Sequence, residues 1–303
     1  MTANHAADES TSEAIRGVMA ALGDYRMPAL LLLSGILLPR SLTKPTGVFI
    51  SGKLRLIAWP CLVWSAVMLG IFGPELGLTW RWWLLAEPSH VWYLNALLMY
   101  YLLGLLLRRV PPLVTALALL ALSVPLAVFS YPGDVPGMVW HRPWYGFFFF
   151  LGAALQPHLN RVIGLRGWVI ALATLASVPW VVHTVRVSET FNGGVVAALM
   201  SAVGLIVVVW LAPRVPRGRV ARAFEWMGRN SIVIYLVHFP SMFAWHQIGF
   251  SADGVLNYLV MVALSLGAGV VAVRLRPWSW SLYEFPDLRA RRRRRREAAA
   301  AAG

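Results

Sequence analysis

Long apolar runs recur along the chain and constrain its fold more than any other feature of the sequence. A helix of about 20 apolar residues crosses a hydrocarbon layer about 30 Å thick, so each run is a candidate membrane segment. Stretches such as Leu102 to Leu107 and Ile206 to Leu211 are apolar on every face, whereas the strands of a membrane β-barrel alternate apolar and polar residues. The pattern therefore predicts an all-α polytopic membrane protein and excludes a porin-like barrel.

Nine such segments are bounded by proline, glycine or charged residues. They are Arg26 to Leu38, Leu54 to Phe72, Val91 to Leu107, Leu113 to Phe129, Pro143 to Leu155, Leu165 to Val182, Gly193 to Leu211, Ser231 to Phe250 and Val255 to Val273. The first and fifth hold only 13 residues each, so either they extend into flanking residues or they are broken or re-entrant elements. The chain is thus predicted to contain about nine transmembrane helices.

Composition supports this fold class. Of the 303 residues, 58% are hydrophobic and 13% are charged, whereas soluble domains carry about 25% charged residues. The lone cysteine, Cys61, excludes an intramolecular disulfide, a thiolate zinc cluster and a CxxC redox pair. We interpret Cys61 as a packing residue.

Basic residues fall mainly in alternate loops. Of the 27 lysines and arginines, 22 lie on one side of the predicted membrane and five lie on the other, namely Arg16, Arg26, Arg81, Arg142 and Arg186. The positive-inside rule makes the first side cytoplasmic. We therefore expect a multi-pass protein of the plasma (cytoplasmic) membrane with its C-terminus inside. An odd number of helices then puts the N-terminus outside.

The segment 1–25 is acidic and lacks the basic and apolar regions of a signal peptide. We hypothesise that one further helix precedes Met1, making ten helices with both termini inside. The predicted organisation is a remnant or extracytoplasmic segment at 1–25, a membrane domain at 26–288 and a tail at 289–303. The tail contains Arg289 and Arg291 to Arg296. We expect it to be disordered and attracted to anionic membrane lipids rather than to nucleic acid.

One polar stripe lies within the segment Gly228 to His238. Ser231, Tyr235 and His238 recur at i, i+4 and i+7, which places them on one face of a helix that Asn230 or Ser231 caps. Such a stripe in a membrane must face protein or water. It is either a hydrogen-bond ladder between helices or a face that contacts substrate, and we favour the second interpretation.

Three further segments carry candidate site residues. Tyr25 to Pro28, followed by Ser34-Gly35, indicates either a discontinuous helix that lines a cavity or close helix packing. Ser89 to Asn95, at the outer mouth of a span, is either functional or an aromatic belt with a surface histidine. Lys53 and Arg55, at the cytoplasmic start of a helix, either enforce topology or hold an anionic cytosolic donor.

Several kinds of site are missing from the sequence. It has no Walker A loop, no HExxH, no GxSxG and no DxD-like acidic pair within the predicted membrane segments. The histidines outside the segments above, His141, His158, His183 and His246, lack ligand-like spacing, so no metal is indicated. Few acids are predicted to be buried, which argues against a proton-coupled transporter.

Taken in order, these segments resemble the acyltransferase 3 family, whose members O-acetylate glycans and other hydroxyl compounds. The resemblance extends from Tyr25 to Leu288. Its elements are Met27-Pro28 with Ser34-Gly35, Lys53 to Pro60, His90 to Leu94, Phe147 to Gly152, Gly228 to His238 and Trp280 to Pro286.

The resemblance implies ten membrane helices and an O-acyltransferase that takes acyl-CoA, in particular acetyl-CoA, from the cytosol as co-substrate. The implied acceptor is a hydroxyl of a glycan, a lipid-linked sugar or a small molecule of the cell envelope. The family also implies a first helix with a basic residue and, about eleven residues later, a histidine that acts as general base. We expect that helix to lie upstream of Met1. His5 lies 22 residues before Met27, close to where that histidine is expected.

The resemblance assigns roles to the remaining candidates. A neutral imidazole suits proton abstraction because the unperturbed pKa of histidine is about 6.5. Arg26 stands where the family often has histidine, and the family's paired arginines are reduced to Lys53 and Arg55. The expected catalytic residues are His5 and His238, the acceptor-binding residues are Arg26, Ser34, His90, Trp92, Asn230, Ser231 and Tyr235, and the residues that hold the CoA phosphates are Lys53 and Arg55.

Two other classes of function stay open. One is a catalytically inactive homologue that acts as a scaffold, if His5 is not held in the bilayer. The other is a protein that translocates a lipid or glycan without modifying it. Release of free CoA separates the enzyme from both, and the sequence leaves the acceptor and the oligomeric state undetermined.

Overall fold

The computed structural model describes residues 13–76, 90–129, 142–187, 194–247 and 255–285. Every element in these ranges is helical, and no strand occurs in them. The all-α class predicted from the sequence is therefore confirmed.

Thirteen α-helices follow one another in the described ranges. They are α1 (Glu13–Ile36), α2 (Leu38–Leu42), α3 (Thr46–Lys53), α4 (Trp59–Leu76), α5 (Trp92–Leu106), α6 (Pro112–Phe129), α7 (Arg142–Leu155), α8 (Leu159–Ile163), α9 (Gly167–Val187), α10 (Val195–Leu211), α11 (Arg219–Arg229), α12 (Ser231–Gln247) and α13 (Val255–Ser279). A π-helical turn, Leu54–Ala58, joins α3 to α4, and short 3-10 turns follow α7, α10 and α13. Each of the nine apolar runs falls largely on one of the longer helices.

Five helical stretches in the described part of the chain are long and apolar enough to cross a membrane. They are Ile15–Leu42, Thr46–Gly70, Gly167–Val187, Val195–Arg214 and Val255–Leu282, and shorter apolar helices cover Trp92–Leu106, Pro112–Leu126 and Ser231–Trp245. These helices support a multi-pass membrane protein. The number of transmembrane helices, nine here or ten with a preceding one, stays a prediction.

The first helix, α1, begins at Glu13 rather than at the apolar run that starts with Arg26. The short run therefore extends into flanking residues, which was the first of the two alternatives for it. The extension brings Asp24 into the helix, where its carboxylate is fully buried. Its Oδ2 atom accepts hydrogen bonds from Trp180 Nε1 at 3.0 Å and Thr184 Oγ1 at 3.3 Å. These bonds offset part of the cost of burying a charged group.

Pro28 lies inside α1 without ending it. Proline has no N–H, so the carbonyl four residues earlier, that of Asp24, loses its helical donor. Ser201 on α10 supplies a replacement, because its hydroxyl donates to the Asp24 carbonyl at 2.8 Å. Of the two alternatives for this segment, the discontinuous helix is therefore wrong, since α1 continues through Pro28 and Ser34-Gly35 and a neighbouring helix satisfies the freed backbone group.

Two glycines allow α1 and α7 to cross at backbone contact. A Cβ atom at Gly35 would collide with the backbone of Phe149, and a Cβ at Gly152 would collide with the backbone of Leu32. Small residues permit this kind of approach between membrane helices. Gly35 of the Ser34-Gly35 pair thus allows the two helices to pack closely. Because α1 also packs against α9 and α10, it lies at the centre of the helix bundle.

Helices α12 and α13 form an antiparallel hairpin. Trp245 Nε1 donates to Asn257 Oδ1 at 3.2 Å near one end, Ser241 and Ser265 hydroxyls lie 3.3 Å apart further along, and Gly269 packs against Ile234. The core face of α12 contributes Val233, Tyr235 and Leu236 to the main hydrophobic core. The hairpin therefore holds this face of α12 against the rest of the bundle.

Candidate functional site

The internal proline of α12 frees a backbone carbonyl at the centre of the candidate site. Pro240 lies inside α12, so the carbonyl of Leu236 has no helical donor. The Nε2 atom of His90 lies 3.0 Å from that carbonyl. A carbonyl oxygen only accepts, so Nε2 carries the proton and Nδ1 carries the lone pair of the neutral imidazole.

His238 has the opposite tautomer. Its Nδ1 atom makes a hydrogen bond with the carbonyl of Tyr235, one turn earlier on α12. Nδ1 must therefore donate, and Nε2 is the nitrogen that carries the lone pair in the neutral ring. His238 is fully buried, and its own carbonyl accepts from Ser241 at 2.7 Å and from Ser265 at 3.4 Å.

The two histidines lie in one aromatic cluster. The His90 ring stacks on Phe239 at 5.1 Å between centroids, and it meets the His238 ring edge-on at 5.5 Å. The Tyr235 hydroxyl donates to the His90 carbonyl. His90 and α12 are thus joined twice, once by the side chain of His90 and once by the side chain of Tyr235.

His90 and Trp92 are both buried, with exposed fractions of 4% and 6%. Trp92 packs against the ring of Tyr145 at 5.1 Å. The alternative that assigned this segment to a surface histidine and an aromatic belt is therefore wrong. These side chains are buried because α5 begins inside the bundle, where α7 and α12 cover them.

Tyr93 connects this cluster to α1. Its ring meets that of Tyr235 edge-on at 5.6 Å, and its hydroxyl lies 3.1 Å from Ser34 Oγ. Ser34 Oγ also donates to the Leu30 carbonyl at 2.8 Å. The structure therefore brings four predicted site residues, Ser34, His90, Tyr235 and His238, into one connected group.

Asn230 and Ser231 lie apart from this group. Asn230 is the junction between α11 and α12: its Nδ2 donates to the Trp226 carbonyl at 2.9 Å, and its own carbonyl accepts from the N–H groups of Val233 and Ile234. Ser231 is exposed at the first turn of α12. The predicted stripe is thus buried at Tyr235 and His238 but exposed at Ser231.

Lys53 and Arg55 lie at the junction of α3 and the π-helical turn. Lys53 is half-buried, with Nζ 3.3 Å from the ring centroid of Tyr101, an arrangement that stabilises the ammonium by a cation–π interaction. Arg55 forms an ion pair with Glu284, with 3.2 Å between Nη2 and Oε1.

The segment after α13 packs against this same junction. Trp59 Nε1 donates to the Ser281 carbonyl at 2.6 Å, Trp64 Nε1 donates to the Leu282 carbonyl at 3.1 Å, and the Phe285 N–H donates to the Arg55 carbonyl at 3.2 Å. A π-helical turn leaves its backbone irregular, and here one of its carbonyls is used by a distant segment. The contacts explain why Trp280 to Phe285 and Lys53 to Trp59 belong to one structural unit.

Two buried charged residues, Asp24 and Arg142, were missed by the sequence analysis. Arg142 is buried at the start of α7, where its Nη1 donates to Asn95 Oδ1 at 3.0 Å. Asp24 is fully buried two residues before the predicted residue Arg26. The sequence carries no specific signal for either residue, because both lie just before a predicted membrane segment, where charged residues are common.

Some predicted residues lie outside the described part of the chain. His5 is one of them, so the structure gives no position for the second candidate base. The tail 289–303 also lies outside the described residues. Within the described ranges, no group of three or more His, Cys, Asp or Glu side chains is arranged to hold a metal ion.

Comparison with known proteins identifies the family. The sequence profile of the acyltransferase domain of the acyltransferase 3 family matches residues 1–274 of the chain. A search of the curated proteins and a search of the solved structures found no match. The matched range covers the buried histidine cluster, the Lys53 and Arg55 junction and both glycines of the α1–α7 crossing. The chain therefore belongs to the acyltransferase 3 family of membrane acyltransferases.

Proposed function

We propose that the chain transfers an acyl group, in particular acetyl, from cytosolic acyl-CoA to a hydroxyl of a glycan, a lipid-linked sugar or a small molecule. The observation that carries this proposal is the buried pair His90 and His238. Two imidazoles with defined and opposite tautomers, each held by a backbone carbonyl, present basic nitrogens inside the membrane domain. General-base catalysis needs such a nitrogen within hydrogen-bond reach of the acceptor hydroxyl.

In the proposed reaction, His238 Nε2 removes the proton of the acceptor hydroxyl as its oxygen attacks the thioester carbonyl. A carbon–oxygen bond forms, the carbon–sulfur bond of the thioester then breaks, and the departing CoA thiolate takes the proton back from the imidazolium. The products are the acyl ester and free CoA. The Nδ1–H bond to the Tyr235 carbonyl keeps His238 in the tautomer that this step requires.

His5 is the second candidate for the same role, as the resemblance implies. The two candidates make different predictions for substitution, so one assay separates them. His238 is fully buried in the described conformation, and the acceptor must therefore displace neighbouring side chains to reach it.

The acceptor is proposed to bind along the connected group of Ser34, His90 and Tyr235, with Trp92 and Arg26 on the α7 side. Hydroxyl and imidazole groups in this group match the hydroxyls of a sugar. Asn230 and Ser231 then act at the base of α12, where Asn230 fixes the start of the helix that carries His238.

The donor is proposed to bind with its phosphates at Lys53 and Arg55. A CoA phosphate would replace Glu284 as the partner of Arg55. Arg55→Gln is expected to raise the KM for acetyl-CoA about tenfold, corresponding to the loss of one charge-assisted contact, while kcat changes less. Arg108→Gln is the matched control, because Arg108 is exposed on a loop of the same predicted side. An unchanged KM in Arg55→Gln would remove this residue from the donor site.

The function is tested by release of the free thiol of CoA from acetyl-CoA, using the full chain in lipid vesicles with isolated cell-envelope glycan as acceptor. His238→Ala is expected to lower the rate at least about 100-fold, and the exposed His158→Ala is the control. A full rate in folded His238→Ala would shift the role of base to His5, which His5→Ala then tests. If the wild-type chain releases no CoA, the enzyme proposal fails, and a scaffold or a translocating protein is favoured.

A further inference from the structure

Helix α11 carries two distinct faces. At about 100° per residue, Val220, Phe224 and Met227 fall on one side of the helix. Arg219, Arg222 and Arg229 fall on the other side, together with the half-buried Trp226. The one acid in the helix, Glu225, lies next to the arginine side, so the polar face keeps a net positive charge. This pattern is typical of a helix that lies in a membrane interface.

The described residues leave most of the apolar face of α11 uncovered, although Met227 is half-buried. No residue of α11 is buried, and the side chains of Val220 and Phe224 are 70% and 66% exposed. The main neighbour of α11 is the start of α12. A short helix with a large exposed apolar side needs another apolar environment to cover it.

The length and charge of α11 exclude a membrane-spanning position. Its 11 residues extend about 16 Å, roughly half of the hydrocarbon thickness. It also connects the end of α10 to the start of α12, at the end of both helices where Arg214 and Arg217 lie. Arg214 packs over the Trp210 ring at 3.7 Å and donates to the Ile163 carbonyl at 2.8 Å, which ties this end of α10 to α8.

We propose that α11 is an interfacial helix that lies on the membrane and binds anionic phospholipid headgroups. The apolar face enters the boundary between headgroups and acyl chains, and the three arginines contact the headgroup phosphates. Charge complementarity identifies anionic lipid as the ligand. An apolar face flanked by three arginines, which outnumber the single Glu225, matches an anionic lipid surface. The basic residues of α11, so far explained only as topology signals, would then also bind lipid phosphates.

This contact has a consequence for α12. Asn230 bonds to the last turn of α11 through its side chain and its N–H, and its carbonyl accepts from the first turn of α12. No flexible linker separates the two helices. The lipid-bound position of α11 therefore sets the height of α12, and of Tyr235 and His238, relative to the membrane surface.

The one native cysteine, Cys61, is buried, so cysteines introduced on α11 can be labelled selectively. Phe224→Cys and, as the matched control on the opposite face, Arg222→Cys are each labelled with an environment-sensitive fluorophore in the full chain. Background labelling of Cys61 is measured on the wild-type protein. Both variants are reconstituted in phosphatidylcholine vesicles with and without phosphatidylglycerol. Quenching is measured with aqueous iodide and with a lipid that carries a nitroxide near the headgroup.

The proposal expects the label at position 224 to be quenched by the lipid nitroxide at least about threefold more strongly than the label at 222, and iodide to show the reverse order. Phosphatidylglycerol should increase the difference. Equal iodide quenching at both positions would overturn the proposal, because α11 would then lie in water. Protection from both quenchers at 224 would also overturn it, since another protein surface would then cover the helix. A difference that is the same without phosphatidylglycerol would overturn the role of the arginines.

Discussion

Pro28 in α1 and Pro240 in α12 create the same backbone defect, and the bundle repairs the two defects with different chemistry. The carbonyl of Asp24 accepts from the hydroxyl of Ser201 at 2.8 Å. The carbonyl of Leu236 accepts from the imidazole of His90 at 3.0 Å. A hydroxyl has no tautomer to select, so the first bond only holds helices together. The second bond also decides which nitrogen of a buried histidine is basic.

A proline in a membrane helix is therefore not by itself a functional signal. Its role depends on the side chain that the tertiary structure brings to the freed carbonyl. Substitutions at the two positions and at their partners therefore have different expected consequences for stability and for activity.

Among substitutions at the two prolines and their partners, His90→Phe is expected to have the largest effect. Phenylalanine keeps the ring stacked on Phe239 but cannot donate to the Leu236 carbonyl, which costs about 1–3 kcal/mol for an unsatisfied buried group. We also expect CoA release to fall at least about tenfold, as for the loss of a positioning contact at a catalytic base. Thermal unfolding in detergent and the rate of CoA release measure the two quantities. A fully active His90→Phe would show that the His90 bond is structural, as at Ser201.

Pro240→Ala is expected to have the second largest effect in this group. The new N–H at position 240 competes with His90 for the Leu236 carbonyl, and the helix itself is stabilised because a proline in a helix interior costs about 3 kcal/mol. Stability should thus hold or rise while CoA release falls about tenfold. Opposite signs for stability and activity would identify the bond as functional. Parallel changes in the two quantities would contradict this assignment.

Ser201→Ala should have a smaller effect, confined to stability. It removes the donor to the Asp24 carbonyl, and we expect a loss of about 1 kcal/mol in the free energy of unfolding. The rate of CoA release in the folded protein should stay within about twofold of the wild type. A large loss of activity here would bring the Asp24 region into the catalytic machinery and remove the contrast between the two prolines.

Pro28→Ala should have the smallest effect on activity and is the matched control for Pro240→Ala. The new N–H can reach the Asp24 carbonyl, so the Ser201 bond becomes redundant and stability should be unchanged or higher. CoA release should stay within about twofold of the wild type. The double variant Pro28→Ala with Ser201→Ala should then be more stable than Ser201→Ala alone, which the same unfolding measurement checks.

Much of the fold is readable from the sequence. The nine apolar runs fall largely on helices, and the spacing of Tyr235 and His238 correctly places both side chains on the core face of α12. These patterns are reliable because a bilayer requires backbone bonds within each segment and apolar side chains around it. The start of α1 was not readable in this way, since Asp24 and Arg26 interrupt the hydropathy, and Trp180 and Thr184, which donate to Asp24, lie on a different helix, α9.

The candidate site was readable only in part. The sequence groups Ser231 with Tyr235 and His238 by periodicity, yet Ser231 is exposed because its turn lies at the end of the helix. Arg142 was counted only as one of five bases on the outer side, and its buried contact is with Asn95 on a different helix. The ion pair of Arg55 with Glu284 joins residues that are distant in sequence, and local pattern carries no information about such pairs.

The sequence by itself determined the fold class, the approximate positions of the helices, the charge asymmetry and the motifs of an acyltransferase 3 protein. These features depend on residue type and local spacing, which act within one helix at a time. The tertiary structure alone decided which side chain meets each carbonyl that proline frees, and thereby which nitrogen of His90 carries the proton. The reason is physical: a hydrogen bond between helices depends on atoms within about 3 Å, and only the packing of the whole bundle sets that distance.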